Sequence, residues 1–131
     1  MNGKNKYMPK ANYVDGFVLV VPKSKTEEYK KMAAAAAKVW KKYGAIDYKE
    51  CMLEHSSPPQ VSLTFPKLAK PKAGETVWFS YITYKSRAHR DQVNKKVMAQ
   101  MEKDYKDKKM PDMPFDMKRM AYGGFKVMVG V

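Results

Sequence analysis

The stretch YKSRAHRDQVN, residues 84–94, gathers the side chains of this chain that are best suited to chemistry. Arg90 can bind a carboxylate or a phosphate through paired N–H donors, and His89 can exchange a proton near neutral pH. If Ser86 is the N-cap of a helix, both lie in or near its first turn, where the helix dipole disfavours cations. The stretch therefore indicates an ion pair, an anion-binding pocket or an exposed helix end.

Helical spacing predicts which of these side chains face the rest of the protein. The apolar side chains recur on one side of the helix, at Val93, Val97, Met98 and Met101. Arg90 and Asn94 fall near the middle of that side, and His89 lies at its edge. The inner side of the helix is therefore expected to become polar towards its N-terminus.

An arginine that points at a sheet needs an acceptor, because an unpaired charge is costly inside a protein. Three carboxylates are candidates: Asp15, Glu50 and Asp116. One interpretation is a structural ion pair. The other is a polar pocket between helix and sheet, in which Arg90 binds a carboxylate or phosphate of a ligand.

Other reactive residue types are sparse. The chain has two histidines, His55 and His89, and one cysteine, Cys51. Their spacing fits no zinc site, and no glycine-rich phosphate loop is present. We therefore predict no metal and no cofactor, and we expect Cys51 to be a packed strand residue.

The elements that position these residues are predicted from periodicity and capping signals. Strands are predicted for YVDGFVLVVP (13–22), AIDYKECMLE (45–54), TVWFSYITY (76–84) and the C-terminal RMAYGGFKVMVGV. A first helix is expected between a capping box at Ser24 and Glu27 and a stop at Gly44. A second runs from Ser86 to about residue 103. The adjacent Gly123 and Gly124 predict a bulge or a close backbone approach.

The connection between the second and third strands is unusually long for a compact domain. It carries four prolines and one apolar cluster, VSLTFP. We expect part of it to form an extra short strand or to lie across a pocket.

The order β-α-β-β-α-β is that of the ferredoxin-like split unit, an α+β fold with a four-stranded antiparallel sheet and both helices on one face. Residues 13–131 are expected to form one domain, preceded by a flexible basic extension, residues 1–12. The strands carry apolar residues on both sides, and two helices can cover only one. The other face therefore predicts a homodimer formed through the sheet, a dimeric α+β barrel.

Composition and charge limit which binding partners and which cellular location are expected for this protein. Lysine and arginine outnumber aspartate and glutamate by 26 to 13, for a net charge of +13. This charge permits nucleic acid as a partner, but the lysines are scattered and dimerisation would cover the sheet face. No apolar run reaches the ~18 residues of a membrane helix. The N-terminus lacks a signal-peptide core, and one cysteine cannot form an internal disulfide. These features predict a cytoplasmic protein without a membrane segment.

Three segments of the chain resemble one known family in order and spacing: YVDGFVLVVP, YKSRAHRDQVNKKVM and MPFDMKRMAYGGF. With FPK at residues 65–67, the chain is similar to the YbaA-like family of uncharacterised bacterial proteins over nearly its whole length. The resemblance implies a dimeric α+β barrel of ferredoxin-like halves and no established activity. The chain departs from the family pattern at Met117, where glycine is usual, and at Ala121, where a larger aliphatic residue is usual.

By analogy with similar barrels, a site is expected between the sheet and the helices. Its candidate catalytic residues are His89 and Asp15, which would handle a proton. Its candidate ligand-binding residues are Arg90, Asn94, Asp116, Lys118, Arg119 and Tyr122. The leading hypothesis is a small anionic or aromatic metabolite that is bound, with or without transformation. The alternatives are a module that binds RNA or another polyanion and a structural dimer whose arginines brace the fold.

Overall fold

The computed structural model describes residues 10–56 and 58–131. The elements follow in the order β1 (Tyr13–Pro22), α1 (Thr26–Lys42), β2 (Asp47–Met52), α2 (Phe65–Ala69), β3 (Glu75–Tyr84), α3 (Arg87–Asp104) and β4 (Ala121–Lys126). Short 3₁₀ turns precede α1 and β4, at Lys23–Lys25 and Met117–Arg119. The predicted N-terminal extension, residues 1–12, lies outside the described residues except for its last three.

The strands form one sheet in the order β2-β3-β1-β4, and every neighbouring pair is antiparallel. The central strand β1 pairs with β3 along its whole length, from Tyr13 opposite Tyr84 to Pro22 opposite Glu75. Its other edge pairs with β4. The predicted α+β class with a four-stranded antiparallel sheet is confirmed.

The long helices α1 and α3 cover one face of the sheet and form its core. At one end, Leu19 and Trp78 of the sheet pack with Tyr29 and Ala33 of α1. At the other end, the residues that pack together include Ala45, Ile82, Tyr84, Val93 and Val97. The apolar side predicted for the second helix is therefore correct at Val93 and Val97, whereas Met98 is 52% exposed.

The opposite face of the sheet, called here the outer face, carries the short helix α2. The phenyl ring of Phe65 lies 6.1 Å from that of Phe79 on this face. Val20 and Val77, paired across β1 and β3 on the same face, are buried. Of the two predicted alternatives for the long connection, an extra strand or a segment across a pocket, no strand is formed by its described residues; they supply a short helix over the outer face. Thr64 caps the helix, and a proline occupies its first turn.

Local signals at the helix ends are confirmed in two places and wrong in one. Ser86 is the N-cap of α3, where its side chain accepts a hydrogen bond from His89 N. Gly44, with φ +110°, follows the end of α1 as the predicted stop. The capping box at Ser24 is wrong, because a 3₁₀ turn after Pro22 moves the N-cap to Lys25, which makes no side-chain capping bond.

The edge strands show two further features. In β4 the pairing continues without a bulge, and the close approach is confirmed: a Cβ on Gly124 would collide with the hydroxyl of Tyr13. In β2, Cys51 lies in a strand as predicted, but it is exposed rather than packed. Its side chain shares the outer face with Phe79, its partner on β3.

Candidate functional site

Arg90, Asp15 and Tyr122 form a closed triangle of hydrogen bonds at the edge of the sheet. Arg90 Nη1 lies 2.7 Å from Asp15 Oδ1 and 2.6 Å from Tyr122 Oη. The Tyr122 hydroxyl donates to the same Asp15 oxygen at 2.8 Å. Asp15 is 2% exposed, and the Arg90 side chain is 13% exposed. Of the three carboxylates predicted as acceptors for Arg90, Asp15 is the one that forms the ion pair.

Three different elements bring this triangle together. Asp15 lies on the helix-facing side of β1, opposite Gly124 of β4. Tyr122 is two residues earlier on β4 and therefore projects to the same side. Arg90 comes from the first turns of α3, and its guanidinium lies 5.1 Å from the ring centre of Tyr13. The network thus fastens α3 to β1 and β4.

The electrostatics of the triangle favour a charged pair. Burial raises the pKa of Tyr122, and its hydrogen bond to Asp15 raises it further, so that this phenol stays protonated. Burial opposes the charge on Arg90, but the hydrogen bond to Asp91 and the charge of Asp15 outweigh it and raise the pKa of Arg90. Arg90 Nε donates to Asp91 at 2.7 Å. Arg90 Nη2 donates no hydrogen bond to any described residue.

His89 faces a different environment from Arg90. Its Nδ1 accepts a hydrogen bond from the Lys85 backbone N–H at 3.0 Å, and its ring contacts Tyr84 edge to face. Burial lowers the pKa of His89, and the charges of Lys85 and Lys96 lower it further. The lowered pKa favours the neutral imidazole, whose Nδ1 can accept the Lys85 N–H at the turn before α3.

Asn94 lies between the two long helices and the sheet. Its Oδ1 accepts hydrogen bonds from Trp40 Nε1 at 3.2 Å and from the Tyr84 hydroxyl at 3.4 Å. It thus joins α1 to α3, one turn away from the Arg90 triangle.

Arg119, Asp116 and Lys118 are placed at the other end of the sheet. Arg119 forms a two-bonded ion pair with Glu75, at 2.9 and 2.8 Å. Glu75 begins β3, whereas Asp15 lies opposite Ile82. Seven residues of strand separate these points, or about 23 Å. The Asp116 carboxylate caps the 3₁₀ turn by accepting from Lys118 N, and both side chains are exposed. The structure therefore does not bring these three residues to Arg90.

A basic pocket lies beside the triangle, with a volume of about 440 Å³. It is lined by Asn12, Tyr13, Lys85, Ser86, Arg87, Gly124 and Lys126. Its wall at Tyr13 is the ring against which Arg90 packs. Among the described residues, none of the three cations of this pocket forms an ion pair.

Sequence reasoning missed the surroundings of Glu50. This carboxylate accepts hydrogen bonds from the Tyr29 hydroxyl at 2.7 Å and from the Tyr48 hydroxyl at 3.0 Å. Burial raises the pKa of Glu50 above its ordinary value, although these hydrogen bonds oppose the shift. The alternation of side chains along β2 predicts this placement, because Glu50 lies on the same side of the strand as Tyr48 and Met52 and therefore faces the helices.

Residues 10–56 and 58–131 contain neither a metal-binding cluster nor a membrane-spanning helix. No cluster of three or more histidine, cysteine, aspartate or glutamate side chains there could hold a metal ion. Within the same residues, no helix has the length and apolar character needed to cross a membrane.

The fold and the triangle define a mixed α+β protein whose helix α3 is fastened to the sheet by a buried ion pair. The chain belongs to the family described as "Protein of unknown function (DUF1428)", whose model matches residues 12–117. "Uncharacterized protein YbaA" of Escherichia coli strain K12 is 42% identical over 119 residues, which cover 89% of this chain and 97% of that protein. The protein of the same description from Shigella flexneri matches equally. The resemblance to YbaA-like proteins is confirmed.

Among solved structures, the de novo designed protein Foldit4 aligns with 88% of this chain and 98% of its own. The sequence identity is 8% and the TM-score is 0.42. At that TM-score the likeness carries no argument about this chain.

Proposed function

We propose that the chain is a homodimer of ferredoxin-like subunits and that each subunit binds a small anionic or aromatic metabolite. The subunit fold is supported by the strand order β2-β3-β1-β4, with one long helix after β1 and one after β3. The short α2 is an addition to that scheme on the outer face. No reaction is assigned to the site.

The homodimer is supported by the part of the outer face that α2 leaves open. Phe79 and Phe125 are 41% and 60% exposed there, and they border an apolar groove of about 500 Å³. Four strands at about 4.8 Å and six to ten residues at about 3.3 Å give the whole outer face a footprint of roughly 400–600 Å², and α2 covers one end of it. The open part is therefore smaller than the about 800 Å² per partner of a stable interface, and exposed apolar side chains of the 58–69 segment, such as Leu63 and Leu68, would have to contribute the rest. A second copy offers the same apolar surface in return.

Sedimentation equilibrium tests the dimer. We expect a mass of twice 15.1 kDa for the wild type and a monomer for Phe125→Asp, because a carboxylate would be buried without a partner. Met98→Asp is the matched control, since Met98 is similarly exposed on the helix side. A wild-type mass of 15.1 kDa at micromolar concentration would rule the homodimer out.

The ligand proposal depends on one observation, the basic pocket between α3 and the β1–β4 edge. Lys85, Arg87 and Lys126 surround it, and none of them is paired with a carboxylate of the described residues. Tyr13 supplies an aromatic wall, and Arg90 lies behind that ring. Unpaired cations around an aromatic surface suit a carboxylate or phosphate on a small aromatic body.

Inorganic phosphate and benzoate are suitable probes, with binding followed by isothermal titration calorimetry. We expect Arg87→Ala and Lys126→Ala each to weaken binding at least tenfold, because each removes a cation at the pocket. Lys38→Ala, an exposed lysine of α1, should leave the affinity unchanged. If neither probe binds, or if the pocket variants behave like the control, the proposed site is wrong.

The alternative is an RNA-binding or other polyanion-binding module, which the net charge of +13 favours. The two functions differ in their dependence on salt. Binding to RNA through many phosphates should weaken by orders of magnitude between 50 and 200 mM salt. Tight, salt-sensitive RNA binding, together with no response to phosphate or benzoate, would replace the small-ligand proposal with this one.

A further inference from the structure

A second groove runs between α1 and the edge strand β2, away from the basic pocket. Its volume is about 580 Å³, within the range of ligand pockets. Its lining includes Ala34, Ala37, Tyr48, Glu50, Met52 and Trp78. The alanines of α1 have little bulk, so the groove is deep enough to reach the carboxylate of Glu50.

Glu50 is a carboxylate without a cation. Both its oxygens accept hydrogen bonds from tyrosine hydroxyls, Tyr29 and Tyr48. No lysine, arginine or histidine of the described residues lies within 4.0 Å of it. Lys30 borders the groove, but it is exposed and pairs with Glu27. Ser80, opposite Glu50 on β3, is a third donor to it. A carboxylate can accept about four hydrogen bonds, so Glu50 retains acceptor capacity.

The other walls of the groove complement a cation. Trp78 packs edge to face against Tyr29, with ring centres 4.9 Å apart, and Tyr48 projects from the same face of the sheet, four residues along β2 from Met52, the partner of Trp78. Aromatic rings attract cations, and Met52 with the alanines offers an apolar surface for a hydrocarbon group. Metal coordination is not supported here, since the described residues hold no cluster of three ligands.

We propose that this groove binds a small primary ammonium ion carried on an apolar or aromatic group, with the ammonium on the Glu50 carboxylate. The N–H donors occupy the lone pairs that the two tyrosines and Ser80 leave, and the organic group lies along Ala34 and Ala37. This site is separate from the basic pocket, and its ligand carries a positive charge, whereas the ligand of the basic pocket carries a negative one.

Phenethylammonium is the probe, and uncharged 2-phenylethanol is its matched control, with binding measured by calorimetry. We expect saturable binding of the ammonium compound that is at least tenfold tighter than that of the alcohol. Glu50→Gln should remove this preference, because the amide keeps the shape of the carboxylate but not its charge. Phosphate binding at the basic pocket should be unchanged in this variant.

A second pair of variants tests the groove without touching the carboxylate. Ala34→Leu fills the groove and should weaken phenethylammonium binding at least fivefold. Ala35→Leu makes the same change at a neighbouring exposed position that lines a different groove, and it should have no effect. The proposal is overturned if the wild type does not prefer the ammonium compound. It is overturned equally if folded Glu50→Gln or Ala34→Leu binds it as the wild type does.

Discussion

Breaking the ion pair between Arg90 and Asp15 from the arginine side is expected to cost stability, because it leaves a buried carboxylate without its cation. Arg90→Met keeps most of the side-chain volume but removes the charge, so Asp15 remains buried with the Tyr122 hydroxyl as its remaining partner in the triangle. Removing one partner of a buried ion pair costs about 3–5 kcal/mol. The Arg90 side chain is slightly exposed, which favours the lower value, about 3 kcal/mol.

Urea unfolding at fixed protein concentration measures this loss, because oligomerisation would make stability depend on concentration. With a slope of about 2 kcal/mol per molar, 3 kcal/mol lowers the midpoint by about 1.5 M. At about 4 °C per kcal/mol, the melting temperature falls by about 12 °C. Arg87→Met is the matched control: it removes an exposed arginine one turn away and should change stability by less than about 0.5 kcal/mol.

A double-mutant cycle measures the interaction free energy between Arg90 and Asp15 separately from their other contacts. In Asp15→Asn with Arg90→Met, the amide still accepts from Tyr122 and no buried charge is left. We therefore expect the double variant to recover about 2 kcal/mol relative to the sum of the single changes. A loss below about 1 kcal/mol for Arg90→Met, or additive single changes, would refute the buried ion pair as the fastening of α3.

Three further outcomes are expected from unfolding measurements. Ser86→Ala should lose about 1 kcal/mol, because His89 N loses its capping acceptor. The hydrogen bonds from Arg119 lower the pKa of Glu75 to about 2, whereas the unfolded value is about 4.3. The wild type should therefore be more stable to unfolding than Glu75→Gln at neutral pH, and this difference should shrink as the pH falls from about 5 to 2. Burial raises the pKa of Glu50, so the folded state holds that proton more tightly. The stability of the wild type relative to Glu50→Gln should therefore fall as the pH rises from about 4.3 through the raised pKa.

Features that depend on residues close together in the chain, such as strand composition and helix capping, were predicted from the sequence. The four strands follow from their apolar and β-branched residues, and the start of α3 follows from Ser86. The start of α1 was predicted wrongly because Pro22 ends β1 and the chain tightens into a 3₁₀ turn, which removes Ser24 from the capping position. Helix α2 was missed since five residues beginning next to a proline carry almost no periodic signal.

The candidate site was less predictable because its pairings are distant in sequence. Arg90 and Asp15 are 75 residues apart, and helical spacing could say only that Arg90 faces the sheet. The choice among carboxylates depends on the register of β1 and β4, which places Tyr122 beside Asp15. Likewise, nothing local links Arg119 to Glu75, and so its placement at the far end of the sheet could not be foreseen.

Helix α2 constrains how any molecule can approach the outer face. It occupies the end at Val20 and Val77 and leaves the end at Val14 and Phe125 open. In the homodimer proposed above, a subunit that docks on the open end would have to be offset along the strands, so that the helix α2 of each subunit clears the sheet of the other.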